Sequence, residues 1–206
     1  MFRKLGLKNV FLVFATLAIS VAASAKVNID QAAPDFSLLN SNGETVSLSD
    51  YRGQYVVLEW TNHLCPYVQK HYDSDNMQSL QRKYNDKDVV WLSIISSAPG
   101  KQGYVDAQQA NELSDTRNAD PTHVLFDPEG EVGKQYAAKT TPHMYVIDPA
   151  GALKYAGAID SIKSANPADI AKADNYLDLS LTALLAGEKV AQTLTPPYGC
   201  SIKYKG

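Results

Sequence analysis

Two apolar, β-branched runs separated by one helix-length stretch constrain this chain more than any other feature. Tyr55-Val56-Val57-Leu58-Glu59-Trp60 and Val89-Val90-Trp91-Leu92-Ser93-Ile94-Ile95 read as buried strands, bounded by Arg52-Gly53 and by the breaker Ser96-Ser97-Ala98-Pro99-Gly100. Between them a polar loop ends at Cys65-Pro66, and a helical pattern is expected to run to about Tyr84 with Val68, Tyr72, Leu80 and Tyr84 near one face. Pro66 suits the first helical position, because its fixed φ fits a helix start and its missing N–H has no partner there to lose. Strand, helix, strand is a βαβ unit with a parallel strand pair. Cys65 then stands just ahead of the first helical turn, facing unpaired N–H groups and the positive end of the macrodipole, both of which favour thiolate over thiol.

The flanks extend this α/β pattern. Residues 36–48 read as a hairpin around Asn42-Gly43, and residues 144–155 as a second hairpin around Asp148-Pro149-Ala150-Gly151. Helices are expected over residues 103–114, 131–137 and 175–186, and a short strand over 123–126. Residues 26–30 read as a loosely tied linker, and the tail from Thr195 to Cys200 is too rich in Pro and Gly for either regular element.

Arg3, Lys4 and Lys8 precede an apolar stretch from Val10 to Val21 and then Ala22-Ala23-Ser24-Ala25, the pattern of an export signal cleaved after Ala25. The apolar stretch falls short of the roughly 20 residues that span a bilayer, so no stable membrane insertion is expected after cleavage. The expected organisation is a signal peptide over residues 1–25 and a single domain over 26–206, with a C-terminal extension from about 163. The expected location is the periplasm or the outside of the cell. The whole chain carries a formal net charge of −3, and loss of the signal makes it more acidic. With no basic cluster, nucleic acid is not an expected partner.

Cys65 and Cys200 are the two cysteines, and both would enter an oxidising compartment. They permit one intramolecular bridge. A structural disulfide, worth about 2–4 kcal/mol, and a redox-active pair both fit that arithmetic.

The order strand, Cys-Pro helix, strand, helix, Thr140-Thr141-Pro142 before a strand, then hairpin resembles the thioredoxin-fold redoxins, over roughly residues 32–162. Ala33-Pro34-Asp35-Phe36, Leu48-Ser49-Asp50-Tyr51-Arg52-Gly53 and Val56-Val57-Leu58 resemble the opening of the alkyl hydroperoxide reductase/thiol-specific antioxidant type. The resemblance implies a thioredoxin-like fold, with a central mixed sheet flanked by helices. It also implies a cis peptide before Pro142, facing the active cysteine. The departures are informative. Val68 stands where a thioredoxin has its second cysteine, Asn62 where a peroxiredoxin has threonine, and no arginine lies near residues 142–144. The chain therefore resembles a peroxiredoxin-like offshoot with a single active-site cysteine. Segments like residues 62–68 and 198–204 recur in that offshoot.

On this reading Cys65 is the nucleophile, attacking a disulfide sulfur or a peroxide oxygen, and Cys200 resolves the product if the tail folds back. Pro142, Thr141, Tyr67, His63 and His143 are expected to line a substrate groove. Glu59, inside an otherwise apolar strand, is either a buried proton relay beneath the cysteine or an exposed edge residue. His71 and His123 are expected off the site, and Trp60 and Trp91 in the core. The expected partners are a protein or small-molecule disulfide or a peroxide, a dithiol electron donor, and a second copy of the chain in a homodimer; no organic cofactor is implied. Two other readings use the same residues: copper handling by Cys65 with His63 and His143, and a redox-inactive module binding extended peptide in the Pro142 groove.

Overall fold

The computed structural model describes residues 27–206. The expected export signal lies outside the described residues. The elements in chain order are β1 (Ser37–Asn40), β2 (Thr45–Ser47), β3 (Val56–Trp60), α1 (Pro66–Asp73), α2 (Asn76–Asn85), β4 (Val90–Ile95), α3 (Ala107–Thr116), β5 (His123–Phe126), α4 (Glu131–Gln135), β6 (Thr140–Thr141), β7 (His143–Ile147), β8 (Leu153–Gly157), α5 (Tyr176–Leu185) and β9 (Cys200–Ser201). Seven strands form one sheet in the order β2-β1-β5-β4-β3-β7-β8, and β6 pairs with β9 in a separate two-stranded ribbon. The β3, β4 and β5 strands run parallel, whereas β7 is antiparallel to both β3 and β8, so the sheet is mixed as expected.

Alternation along the central strands splits the core into two layers. Leu58, Trp60, Leu92, Ile94, Tyr145 and Ile147 pack on one face with Tyr136. Val57, Trp91, Met144 and Val146 pack on the other against Tyr72, Leu80 and Leu181, from α1, α2 and α5. Both central strands are fully buried, which is why they read as near-continuous apolar runs.

The expected helix from Pro66 to Tyr84 is two helices. Asp75 adopts φ 57° and separates α1 from α2. Ser74-Asp75-Asn76 are residues whose side chains compete for backbone groups, and the Ser74 hydroxyl donates to Lys70 O at 2.7 Å. The next helix starts at Ala107 rather than 103, where the Asp106 carboxylate accepts from the Gln109 N–H and Gln109 reciprocates. The expected linker is tied down: Val27 and Ile29 pack on the core, and Asp30 N–H donates to Leu153 O at 2.8 Å. Glu59, on the central strand β3, is 0% exposed, which removes the edge-strand reading.

His143 begins β7 and is buried, its ring 4.6 Å from that of Tyr145. Its Nδ1 accepts the Lys139 N–H at 3.3 Å. Burial, aided by the charge of Lys139, pulls its pKa down to about 3 from an ordinary 6.5. Below pH 6.5 the unfolded chain therefore binds a proton at this position that the folded chain refuses, and stability is lost as pH falls from 6.5 towards 3. Whatever His143→Phe costs at neutral pH, the variant is expected to lose less of its urea midpoint than the wild type on acidification to about pH 4.

Candidate functional site

Cys65 is the residue that caps the N-terminus of α1, with φ −80° and ψ 121° and with Pro66 behind it. It follows directly from the alignment of β3 in the middle of the sheet, whose carboxyl end points the chain into the loop 61–64. Asn62 shapes that loop: its Oδ1 accepts the Leu64 N–H at 2.9 Å and its Nδ2 donates to Gln102 O at 3.3 Å. Asn62 is thus spent on the loop backbone. Cys65 is fully buried, and its thiol donates to Thr141 O at 3.1 Å.

The tail supplies the other side. In the β6/β9 ribbon Thr141 lies opposite Cys200, and the Thr141–Pro142 peptide is cis, as the resemblance implied. Gly199 makes this approach feasible. It has φ +133°, and a Cβ there would lie 2.0 Å from Thr141 O, so a side chain at this position would push the tail away. Both cysteines are free thiols in this structure, Cys200 half-buried.

The two thiols are driven apart in acidity. Burial opposes ionisation of Cys65, but hydrogen bonds from Cys200, Thr141 and the Val68 N–H outweigh it and hold its pKa below the ordinary thiol value. Burial, then the hydrogen bond and charge of Cys65, push Cys200 up to about 11. Cys65 is therefore the more acidic member of the pair. The buried Thr141 hydroxyl has no hydrogen-bond partner while Cys65 is a thiol, which leaves it free to donate once the sulfur ionises.

Of the residues expected in the groove, Thr141 meets Cys65 through its carbonyl, Pro142 follows it across the cis peptide, and Tyr67 packs edge-on against Tyr198 of the tail at 5.7 Å, while Cys200, expected as the resolving thiol, lies opposite Thr141. His63 and His143 do not join them. His63 turns to a cavity of about 40 Å³ beneath α3, shared with Thr61, Tyr72, Ser93 and Arg117, and burial together with Arg117 lowers its pKa. Among the described residues neither histidine hydrogen-bonds Cys65, and no three His, Cys, Asp or Glu side chains converge as a metal site. This geometry does not assemble the Cys65–His63–His143 set that copper handling requires.

Glu59 is enclosed by donors: Trp91 Nε1 at 2.9 Å, Ser93 Oγ at 3.0 Å and Tyr72 OH at 2.9 Å. Burial raises its pKa against the effect of those hydrogen bonds. Its partner Tyr72 lines the same small cavity, which has room for about two or three waters. Sequence reasoning missed this cage and Arg117, whose guanidinium donates to His63 O at 3.1 Å and lies 5.2 Å from the Tyr72 ring centre. The only sequence signal was a carboxylate alternating with apolar residues in β3, with Ser93 at the matching register of β4.

The profile of the AhpC/TSA family matches residues 29–156. The thioredoxin-like protein YneN of Bacillus subtilis (strain 168) is 29% identical over 124 residues, which is 60% of this chain and 68% of that protein. Among solved structures, an uncharacterized conserved protein from Geobacillus kaustophilus aligns with a TM-score of 0.77 at 26% identity, over 87% of this chain and 93% of that one. A putative thiol:disulfide interchange protein DsbE from Chlorobium tepidum aligns with a TM-score of 0.51 at 26% identity, over 62% and 83%. The fold is thioredoxin-like, as the order of elements implied.

Thr141→Val removes the hydroxyl donor and keeps the backbone carbonyl. The midpoint of the pH profile for Cys65 alkylation by iodoacetamide is expected to rise by about one pH unit, the lower end of the about 1.5–3 kcal/mol net that a hydrogen bond to a charged group contributes.

Proposed function

The chain belongs to the AhpC/TSA family, and we propose that within it this protein is an exported two-cysteine thiol oxidoreductase, with Cys65 as nucleophile and Cys200 as resolving thiol. The observation that carries this reading is the register of β9 on β6, with Cys200 opposite Thr141 and its thiol against that of Cys65. A purely structural bridge needs no acidified partner. Here the more acidic sulfur belongs to the residue at the N-terminus of a helix, a position that favours the nucleophilic thiolate.

With a peroxide, the Cys65 thiolate attacks the distal oxygen, the O–O bond breaks, and protonation of the departing oxygen leaves an alcohol or water and Cys65 sulfenic acid. The Cys200 sulfur then attacks Cys65 Sγ, expelling hydroxide, which the Cys200 proton converts to water. With a disulfide, attack by Cys65 releases one thiolate and forms a mixed disulfide, and attack by Cys200 releases the second. Either route ends in one Cys65–Cys200 disulfide. An external dithiol restores the thiols by attacking Cys200 Sγ, the more exposed sulfur, so that the low-pKa Cys65 departs as thiolate. Thr141, Pro142 and Tyr67 shape the groove, but the tail itself occupies the Thr140–Thr141 edge. A partner therefore reaches Cys65 when this two-residue pairing opens.

Glu59 serves in this reading as a buried proton store, linked through the Tyr72 hydroxyl to the small cavity beneath α3. Export is supported by the leader-like residues 1–25, and a mature N-terminus at Lys26 in the exported fraction tests it.

The deciding experiment is alkylation and mass spectrometry of the mature protein, with and without one equivalent of hydrogen peroxide or oxidised glutathione. The expected product is a Cys65–Cys200 disulfide that a dithiol reverses. Cys65→Ser is expected to abolish oxidation, and Cys200→Ser to stop at Cys65 sulfenic acid or a mixed disulfide with glutathione. Two thiols that stay unmodified under both oxidants overturn the proposal, and a Cys65→Ser protein with full function favours a binding module. Response to glutathione alone selects disulfide over peroxide as substrate. Glu59→Gln is expected to slow turnover roughly 10²-fold, the lower end for a positioned acid–base group, without moving the site of oxidation.

A further inference from the structure

Five residues beyond Cys65, on the helix it caps, Lys70 is buried with its ammonium 2.9 Å from Asp160 Oδ2. Asp160 follows β8, and its other oxygen, Oδ1, accepts the Ile162 N–H at 3.0 Å and the hydroxyl of Tyr198. Tyr198 stands two residues before Cys200. Its ring packs against Tyr67 and lies 5.9 Å from the Lys70 ammonium, so it is gripped by successive turns of α1. Lys70, Asp160 and Tyr198 are respectively 2%, 3% and 5% exposed. One carboxylate thus joins the helix of Cys65, the exit of the sheet and the strand of Cys200.

None of these groups reaches a sulfur, and the proposed chemistry leaves them unused. A buried ion pair adds little net stability, because desolvating both charges offsets their attraction; what it supplies is fixed geometry. Beyond Cys200 the tail is held again, by Ile202 N–H on Lys139 O at 3.1 Å and by Tyr204, whose hydroxyl donates to Ala138 O at 2.8 Å. On the upstream side, the Tyr198 hydroxyl supplies the polar anchor nearest to Cys200. Without it the Pro-rich approach between Thr195, itself hydrogen-bonded to Tyr155 and Ala158, and the two-residue β9 pairing has no side-chain anchor.

We propose that Lys70, Asp160 and Tyr198 form a buried clamp of positioning residues that fixes Cys200 at Cys65 and so sets the effective concentration of one thiol at the other. The proposal rests on the two-cysteine reading and names what makes that pair a pair. A disulfide's stability against a thiol pool scales with that effective concentration, so loosening the clamp makes the bond easier to reduce.

The test is the equilibrium between the protein dithiol and oxidised glutathione, which yields the protein disulfide and two reduced glutathiones, read by acid quench and mass spectrometry. Tyr198→Phe keeps the ring and leaves the Lys70–Asp160 pair intact. Its equilibrium constant is expected to fall about tenfold, the consequence of losing one hydrogen bond to a charged group. In a Cys200→Ser background the same substitution is expected to leave the pH midpoint of Cys65 alkylation unmoved, since the clamp touches position and not the thiolate. Tyr67→Ala, which removes the ring that Tyr198 packs on, is expected to shift the equilibrium in the same direction and serves if Tyr198→Phe fails to fold. An unchanged constant in a folded variant overturns the clamp, because a merely structural contact weakens the dithiol and disulfide forms equally. A wild-type protein that forms no Cys65–Cys200 disulfide overturns the two-cysteine reading and the clamp with it.

Discussion

The β3 strand is hydrogen-bonded on both sides, parallel to β4 and antiparallel to β7, and everything at the site hangs from where it ends. With Val56 to Trp60 held in register, the chain leaves the sheet at Thr61 and turns at Asn62. Cys65 is thereby delivered to the start of α1 beside the cis peptide that opens β7. The same strand carries Glu59 inward, on the face it shares with Val57, where Trp91, Ser93 and Tyr72 surround it. A one-residue slip would exchange Glu59 with Trp60 and put a carboxylate in the layer of Tyr136 and Tyr145. The register thus fixes both the position of the thiol and the placing of the buried acid.

The tail completes what the sheet begins. Thr140 and Thr141, just before the cis proline, form a two-residue strand outside the main sheet, and residues Cys200 and Ser201 pair with it from within the same chain. Gly199 permits the approach, and Tyr198 and Tyr204 tie the segment on either side. The electrostatics follow from contact: two neighbouring thiols share donors unequally, and the one at the helix start ionises first. Cys200 meanwhile is the less acidic and the more exposed of the two.

Much of the fold was legible because its central strands are apolar, its turns carry Asn-Gly and Asp-Pro-Ala-Gly, and Pro66 marks a helix start. The break at Asp75 was not, since Ser, Asp and Asn are tolerated inside helices and only the positive φ of Asp75 decides the matter. The pairing of Thr141, Pro142 and Cys65 came from family resemblance. His63 and His143 show the limit of sequence proximity: both flank the site in the chain, yet one turns beneath α3 and the other stacks on Tyr145. Lys70 and Asp160, separated by 90 residues, looked like any surface charges.

By itself the sequence determined the βαβ frame, the thiol at a helix start, and a one-bridge limit set by two cysteines, because these depend on local period, turn chemistry and counting. Tertiary structure alone decided that Cys200 meets Cys65, that Glu59 and Lys70 are buried with partners, and that the histidines are not at the thiol. Those outcomes depend on which distant segments share a desolvated space. There, the cost of an unpaired charge or hydroxyl selects its neighbours, and no local pattern in the chain encodes that cost.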